Sequence, residues 1–337
     1  MIGFGSILKD YLKFYKISQA DFANRLNITQ KHLNEILNKN VDISSELMIA
    51  ISLITDIDID LIVFAETRKS IYKYLNNRFK TEKEINIFLN SFYIKEMNQK
   101  KWIKLRDKTS YVQNAVDLLG FLNIRSFDMF NEYYNKRILY KKSSDADKKK
   151  LFLWIARCDE LAKSQFVNEY NKNNLNLLLD ELRFERIKRF NENQIIKIFN
   201  KYGIYLIIED ALKGSKVRGC MMIKDKNPAI YITRYLKEKS SFYFTLYHEI
   251  YHIRTNYNPA QRRIIVFDED KEEKANAFAI NQMINENIWK EILCDLERKE
   301  TICKNNNIPL TFMYSRLAKE GYILYNDKNL LKYREEI

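Results

Sequence analysis

The 337-residue chain is predicted to be mainly α-helical with a small antiparallel sheet, an α+β fold. Glycine and proline, which interrupt helices, number only 7 and 3, and apolar residues recur at helical spacing along most of the chain. Strand-like runs are few: IYLIIE at 204–209 and AIYITRY at 229–235. The glycines and proline of the segment between these two runs indicate turns, so the runs are expected to belong to one small sheet.

The composition favours a cytoplasmic protein. No run of residues approaches the ~20 apolar positions that a membrane span needs, so we expect no membrane partner. The first residues, MIGFGSILKDYLKFYK, carry charges within their apolar pattern, unlike a secretory leader. Cys158, Cys220, Cys294 and Cys303 form no CxxC pair and no spacing typical of a disulfide framework. They are expected to be reduced thiols.

The first predicted element is a pair of short helices, encoded by ISQADFANRLNITQKHLNEILNKN from Ile17. Ser18 and Thr29 are suited to cap the two helices, and Asn27 tolerates the left-handed turn between them. The apolar positions expected to face inward are Ala20, Phe22, Ala23, Leu26, Leu33, Ile36 and Leu37. The second helix then presents a polar face, which is the plan of a helix-turn-helix that reads the major groove of DNA.

This pair of helices resembles the XRE/Cro-like family, and more closely its HigA-type antitoxin branch, across roughly residues 17–66. The resemblance implies binding to a double-stranded DNA operator by an all-α domain, residues 1–66. Paired half-sites would also make a homodimer the expected form. The implied base contacts are Gln30, Lys31 and Asn34, and the implied phosphate contacts are Gln19 and Asn38. The alternative is a helical hairpin used only for packing or dimerisation. His32 is expected to be a surface residue or a phosphate contact and not a catalyst.

Residues 67–195 are predicted to form a helical connector. Trp102, Phe121, Phe127, Trp154 and Phe166 are its expected core anchors, and the charge-dense residues 140–150 are expected to form an exposed loop. Residues 67–200 carry 28 Lys and Arg against 16 Asp and Glu, so this part of the chain is basic. The excess favours polyanion partners, although a solvated lysine-rich surface explains it equally well. The segment resembles the connector of regulators that join a helix-turn-helix to a peptidase.

The most specific motif is His248-Glu249-Ile250-Tyr251-His252, which contains two of only three histidines in the chain. Its spacing, HExxH, points two imidazoles at one ion from the same face of a helix, predicted at 241–255. Zinc is the ion expected there, because it lowers the pKa of a bound water from ~16 toward ~7. Glu249 would take the proton from this water and return it to the leaving amine. The motif therefore predicts a zinc-dependent hydrolase with Glu249 as the catalytic residue.

A third protein ligand is expected from a predicted helix at 269–284. Glu272 and Asn276 lie one turn apart on it, so Glu272 would bind zinc while Asn276 hydrogen-bonds a histidine ligand. Glu273 and Glu269 are alternative ligands. A donor to the oxyanion would come from Tyr231, Tyr247, Tyr251 or Arg218, and AIYITRY is expected to be an edge strand that pairs with an extended substrate.

The run Glu272 to Ala279, ExxANxFA, lies 20 residues beyond His252 and resembles the signature of the ImmA/IrrE peptidases. Its register favours Glu272 as the third ligand. The resemblance implies a zincin-like domain, residues 196–337, that cleaves a repressor or another regulator protein. Tyr251, where the family often has a small residue, and NQMINENIW after the signature depart from the family pattern.

The predicted function is thus a DNA-binding transcriptional regulator that carries a zinc endopeptidase. The alternative from another class is a non-enzymatic repressor or antitoxin, whose zinc domain senses a signal or binds a protein such as a cognate toxin. A structural or vestigial zinc site would fit this alternative. An intact Glu249 favours the enzyme, because a structural zinc site has no need of it.

Overall fold

The computed structural model describes residues 3–39, 41–130, 132–133, 148–215, 217–257 and 269–337. These residues are mainly helical and include a small three-stranded sheet, which confirms a mainly α chain with a small sheet. Residue contacts divide the chain into two compact units, Met1–Asn123 and Ile124–Ile337. The division falls inside residues 67–195, the segment predicted to be a connector. Within the described residues, no helix combines the length and the apolar character needed to cross a membrane.

The first unit is built from helices. They are α1 (Phe4–Phe14), α2 (Gln19–Arg25), α3 (Gln30–Lys39), α4 (Ser45–Thr55), α5 (Ile59–Arg78), α6 (Glu82–Asn90), α7 (Ile94–Gln99) and α8 (Tyr111–Leu122), with a 3₁₀ turn at Lys108–Ser110. The helix α5 runs across the boundary predicted at residue 66. Trp102 and Phe121, two of the expected anchors of the connector, are buried in this unit.

The two short helices predicted from the sequence are α2 and α3, and the predicted capping residues are confirmed. The Ser18 hydroxyl accepts a hydrogen bond from the Asp21 amide at 3.0 Å, and the Thr29 hydroxyl accepts one from the His32 amide at 3.1 Å. Asn27 adopts the left-handed conformation, with φ of 53°. The inward residues are buried except Ala20, which is exposed. Ala20 lies in the first turn of the seven-residue helix α2, before Phe22 and Ala23, which are the buried residues of this helix.

A buried ion pair joins the beginning of α1 to α5. Glu66 accepts a hydrogen bond from the Phe4 amide at 3.0 Å, and Lys69, paired with Glu66, donates to the Val41 carbonyl at 3.0 Å. A free amide at the first turn of a helix needs an acceptor, and Glu66 supplies a charged one. The pair therefore holds α1 and the segment before α4 against α5.

The second unit contains helices and the sheet. Its helices are α9 (Lys148–Ala162), α10 (Leu175–Glu185), α11 (Glu192–Lys201), α12 (Lys239–Asn256), α13 (Glu269–Met283), α14 (Glu286–Cys294), α15 (Lys299–Asn305), α16 (Leu310–Lys319) and α17 (Lys328–Tyr333), with a 3₁₀ turn at Lys172–Asn174. Its strands are β1 (Tyr205–Ile208), β2 (Gly219–Lys224) and β3 (Asn227–Ile232). The helices predicted at 241–255 and 269–284 agree with α12 and α13 within two residues.

Two predictions for the connector are corrected here. Phe127 and Trp154 are buried as expected, but Phe166 is 89% exposed because it lies in an irregular segment after α9 has ended. Residues 148–150, expected at the end of a loop, form the first turn of α9. Lysine is a good helix former, so a run of lysines can begin an amphipathic helix as easily as it can end a loop. The other loop residues, 140–147, lie outside the described part of the chain.

The sheet is mixed, so the prediction of an antiparallel sheet is wrong. Its strand order is β1-β3-β2, with β1 parallel and β2 antiparallel to β3. The strand β2 lies in the segment predicted to contain only turns. It forms a hairpin with β3 through Asp225 and Lys226, both with positive φ (48° and 71°), and Lys is not a residue that signals such a turn. The expected edge strand, β3, is therefore central, and β1 and β2 are the two edge strands.

The helix α12 lies against β2, β3 and α13. Its apolar residues Leu246, Ile250 and Ile253 are fully buried in one core with Ile230 and Ile232 of β3. Because α12 is enclosed on several sides, its polar residues can remain in the structure only where they have partners or a function. The HExxH motif occupies this enclosed helix.

Candidate metal centre

The two histidines of the motif converge at the side of α12 that faces α13. Their Nε2 atoms are 3.1 Å apart, and their ring centroids are 4.9 Å apart. His252 is buried and His248 is partly buried. A spacing of four residues places them one turn apart, which accounts for both imidazoles facing one point.

Glu272 of α13 completes the group. One of its carboxylate oxygens lies 2.9 Å from His248 Nε2, and the other lies 3.2 Å from His252 Nε2. Burial alone would raise the pKa of Glu272, but its hydrogen bonds with the two imidazoles outweigh burial and lower the pKa to about 2. Of the alternative ligands, Glu273 is exposed, and the side chain of Glu269 lies outside the described part of the structure.

Two asparagines hold the outer nitrogens of the imidazoles. Asn276 Oδ1 lies 3.0 Å from His248 Nδ1, as predicted, and the Asn256 amide lies 3.3 Å from His252 Nδ1. Because an amide oxygen only accepts, the Asn276 contact favours a proton on His248 Nδ1, which leaves Nε2 of that ring for a metal. The atom of Asn256 nearest His252 Nδ1 is its amide nitrogen, a donor, so a metal bound at His252 Nε2 requires the Asn256 amide to turn and present its oxygen. Asn256 was missed by the sequence analysis. Its position one turn after His252 was the available signal.

These residues fit a zinc ion. The separations among the three donor groups, 2.9, 3.1 and 3.2 Å, are close to the edge of a tetrahedron with metal bonds of about 2.0–2.1 Å. Two imidazoles and one carboxylate are also a donor set of catalytic zinc sites, which keep the fourth position open. His248, His252 and Glu272 can therefore hold a metal ion, and zinc suits them.

The Glu249 carboxylate lies beside His248, His252 and Glu272 but forms no hydrogen bond or ion pair with them. The residue is 6% exposed, and none of the described residues donates a hydrogen bond to its carboxylate or forms an ion pair with it. Burial raises the pKa of Glu249 above its ordinary value. A Cβ added at Gly219 of β2 would lie 3.1 Å from Glu249 Oε1, so the carboxylate is next to the edge strand.

The four proposed donors to an oxyanion lie in different surroundings. Tyr231 is buried and donates its hydroxyl to Asp159 at 2.7 Å, and Tyr247 is fully buried in the core. Tyr251 is partly buried with its ring 6.3 Å from that of His252, and Arg218 is exposed immediately before β2. Of the four, only Tyr251 and Arg218 thus have side chains that are not fully buried.

The residues predicted to contact DNA lie on or next to α3. Those with exposed side chains are Gln30, Lys31, Asn34 and Asn38, while Gln19 at the beginning of α2 is partly exposed. Asn38 donates to Asn34 Oδ1 at 2.5 Å and accepts from Lys9 Nζ at 2.8 Å. The polar face of α3 is therefore exposed to solvent, and hydrogen bonds of Asn38 with Asn34 and Lys9 order part of it.

No family model matches the chain, and neither the curated proteins nor the solved structures contain one that is similar to it.

Proposed function

We propose that this chain is a DNA-binding transcriptional regulator whose second unit is a zinc-dependent endopeptidase. The observation that carries the enzymatic part is the buried Glu249 carboxylate, which has no hydrogen-bond partner among the described residues yet lies beside the three possible ligands. Burying a charge without a partner costs free energy. A site that only stabilises the fold has no need of such a group, whereas a general base does.

Each residue of the centre has one task in the proposed reaction. Zinc, when bound, would activate a water molecule for attack on the peptide carbonyl. Glu249 would serve as the general base and then as the general acid, taking a proton from the attacking water and delivering it to the leaving nitrogen. Asn276 and Asn256 keep the imidazoles oriented, and Tyr251 or Arg218 is available to donate a hydrogen bond to the oxyanion.

The edge strand β2 supports an extended peptide as the substrate. One side of β2 pairs with β3, and the described residues leave its other side without a strand partner. Such an edge can accept a peptide by strand addition. Gly219 at the beginning of β2 lies next to Glu249, so a peptide bound along this edge would pass the proposed general base.

The DNA-binding part of the proposal is supported by α2 and α3. Their capped ends and tight turn match the helix-turn-helix plan, and the exposed Gln30, Lys31 and Asn34 can pair with base edges. A double-stranded operator is the proposed partner, and a repressor or another regulator protein is the proposed substrate. A homodimer would match an operator with two half-sites.

The decisive experiment compares Glu249→Gln with the wild type in host cells. New protein N-termini are profiled by mass spectrometry at equal expression and equal zinc content. Termini that arise only with the wild type support proteolysis and identify the substrate. The matched control is Glu273→Gln, the same change at an exposed glutamate of α13, and it should cleave like the wild type.

The opposite result would favour the other functional class. If Glu249→Gln and the wild type yield the same termini, including under DNA damage, the second unit is better described as a zinc-dependent sensor or protein-binding module. The chain would then be a non-enzymatic repressor or the antitoxin of a toxin-antitoxin-like system. Zinc binding by itself does not separate these classes, because both of them require it.

The metal ligands are tested separately. His248→Ala and Glu272→Ala each remove one donor, so purified protein should lose most of its zinc, measured by plasma mass spectrometry. Circular dichroism should show that the helices persist. Full zinc content in both variants would contradict the ligand set.

A further inference from the structure

A cavity of about 390 Å³ lies in the second unit, next to the metal centre. Its lining includes Ser241 and Phe244 of α12, Ile280 and Met283 of α13, and Phe312 of α16. The floor is thus largely apolar. The residues that hold the metal do not line it, so the cavity is a neighbour of the metal centre and not part of it.

The helices that carry the metal ligands also form the wall of this cavity. Phe244 lies one turn before His248 on α12, and their ring centroids are 6.2 Å apart. Ile280 lies one turn after Asn276 on α13. A substrate at the metal centre that continues toward the first turns of α12 therefore meets the cavity within a few residues.

Two cations at the cavity are not held in ion pairs by the described residues. Lys319 Nζ lies 4.7 Å from the centroid of the Phe244 ring, and Arg218 lines the same space. Among the described residues, no carboxylate forms an ion pair with either one. Although Lys319 as a whole is exposed, partial burial of its ammonium, together with the charge of Arg218, lowers its pKa. The positive charge of Arg218 thus disfavours the charged form of Lys319, and the carboxylate of Glu320 offsets part of this effect.

The acidic residues of the cavity are already engaged elsewhere. Glu320 accepts hydrogen bonds from Trp289 at 3.0 Å and from Arg316 at 2.7 Å, and Glu238 pairs with Arg334 at 2.6 Å. Arg316 is neutralised by the same contact. The uncompensated charge at the cavity is consequently positive, and a bound carboxylate would relieve the repulsion between its two free cations.

We propose that this cavity is a specificity pocket for an acidic side chain, Asp or Glu, of the peptide substrate. This inference rests on the proposed function and adds the substrate class. The distances from the Phe244 ring place Lys319 Nζ within about 11 Å of the His248 ring, the reach of about three extended residues. The acidic residue therefore lies within three residues of the bond that is cut.

The test is a cleavage profile on a peptide library prepared by proteolysis of a cell lysate. The cleavage sites of the wild-type, zinc-loaded protein should be enriched in Asp and Glu at one position within three residues of the new terminus. Lys319→Met should abolish this enrichment and lower kcat/KM for acidic peptides by about ten- to a hundredfold. Lys319→Glu, whose carboxylate can pair with Arg218 and neutralise the pocket, should also abolish the enrichment. Lys290→Met, at an exposed lysine that does not line the cavity, is the matched control.

The specificity pocket is overturned if the wild type cleaves peptides without an acidic preference, or if Lys319→Met retains that preference. Either result leaves the proposed peptidase intact. If the wild type cuts nothing, the peptidase proposal fails, and binding decides the pocket. The probe is then a blocked alanine peptide in which one Glu is moved along the chain, compared by calorimetry with the Gln series. The pocket is supported if one Glu peptide binds the wild type more tightly than its Gln counterpart and Lys319→Met removes this difference. Equal binding of the Glu and Gln series overturns the pocket.

Discussion

The helices α1 and α3 approach each other closely at Gly5, and this contact allows a quantitative prediction. A Cβ added there would lie 2.2 Å from the carbonyl oxygen of Ile36 in α3 and 3.1 Å from its carbonyl carbon. Both obstacles are backbone atoms, so no rotation of a side chain can relieve the overlap. Gly5→Ala must therefore push α1 away from α3 by about 1 Å, since normal contacts are about 3.5 Å.

The expected cost of Gly5→Ala follows from two opposing effects. Overpacking of this kind costs about 1–3 kcal/mol, while alanine is favoured over glycine in a helix by about 0.5–1 kcal/mol. The net result is a loss of up to about 2.5 kcal/mol in the free energy of unfolding, with a midpoint of about 1 kcal/mol. Gly120→Ala in α8 is the matched control, because no atom lies within 4 Å of its added Cβ. That variant should gain about 0.5–1 kcal/mol.

Urea unfolding of the full chain should show the two variants moving in opposite directions. Hydrogen exchange, followed by mass spectrometry, should localise the loss in Gly5→Ala to peptides from α1 and α3. Stabilisation by Gly5→Ala of the same size as that by Gly120→Ala would refute the close contact between α1 and α3.

Two further predictions concern the functional surfaces. Gly219→Ala should keep its zinc but hydrolyse peptides about tenfold more slowly or worse. The reason is that the added Cβ would lie 3.1 Å from Glu249 Oε1 and displace the carboxylate. Undiminished peptide cleavage would argue against the position of this base. Combining Gln30→Ala with Asn34→Ala should weaken binding to DNA selected from a random library by about tenfold or more, measured by fluorescence anisotropy, while cleavage is unchanged. Equal affinity of the double variant and the wild type would remove α3 from the DNA interface.

Local features of the fold were predictable because they depend on nearby residues. Ser18, Asn27 and Thr29 act through hydrogen bonds and backbone angles within three residues of themselves, and all three do what their types predicted. Phe166 shows the limit of this approach. Its hydrophobicity predicted burial, but whether an aromatic residue is buried depends on what packs against it, and at this position α9 has already ended.

The candidate site divides in the same way. That His248 and His252 share a face follows from the helical repeat alone. That Glu272, and not Glu273, meets them depends on how α13 is rotated against α12, which the sequence analysis could infer only from a family resemblance. Asn256 was overlooked because an asparagine near the end of a helix is common, so its position one turn after His252 is a weak signal until the two side chains are seen in contact.

The sequence by itself determined the mainly helical character, the capped pair α2 and α3, and the spacing of HExxH and ExxAN. These are consequences of backbone geometry over one or two turns. Only the tertiary structure decided that β2 is the edge strand beside Glu249, that β3 is central, and that Lys319 and Arg218 line one cavity. Strand order and cavities arise from contacts between residues far apart in the chain, and such contacts leave no periodic trace in the sequence.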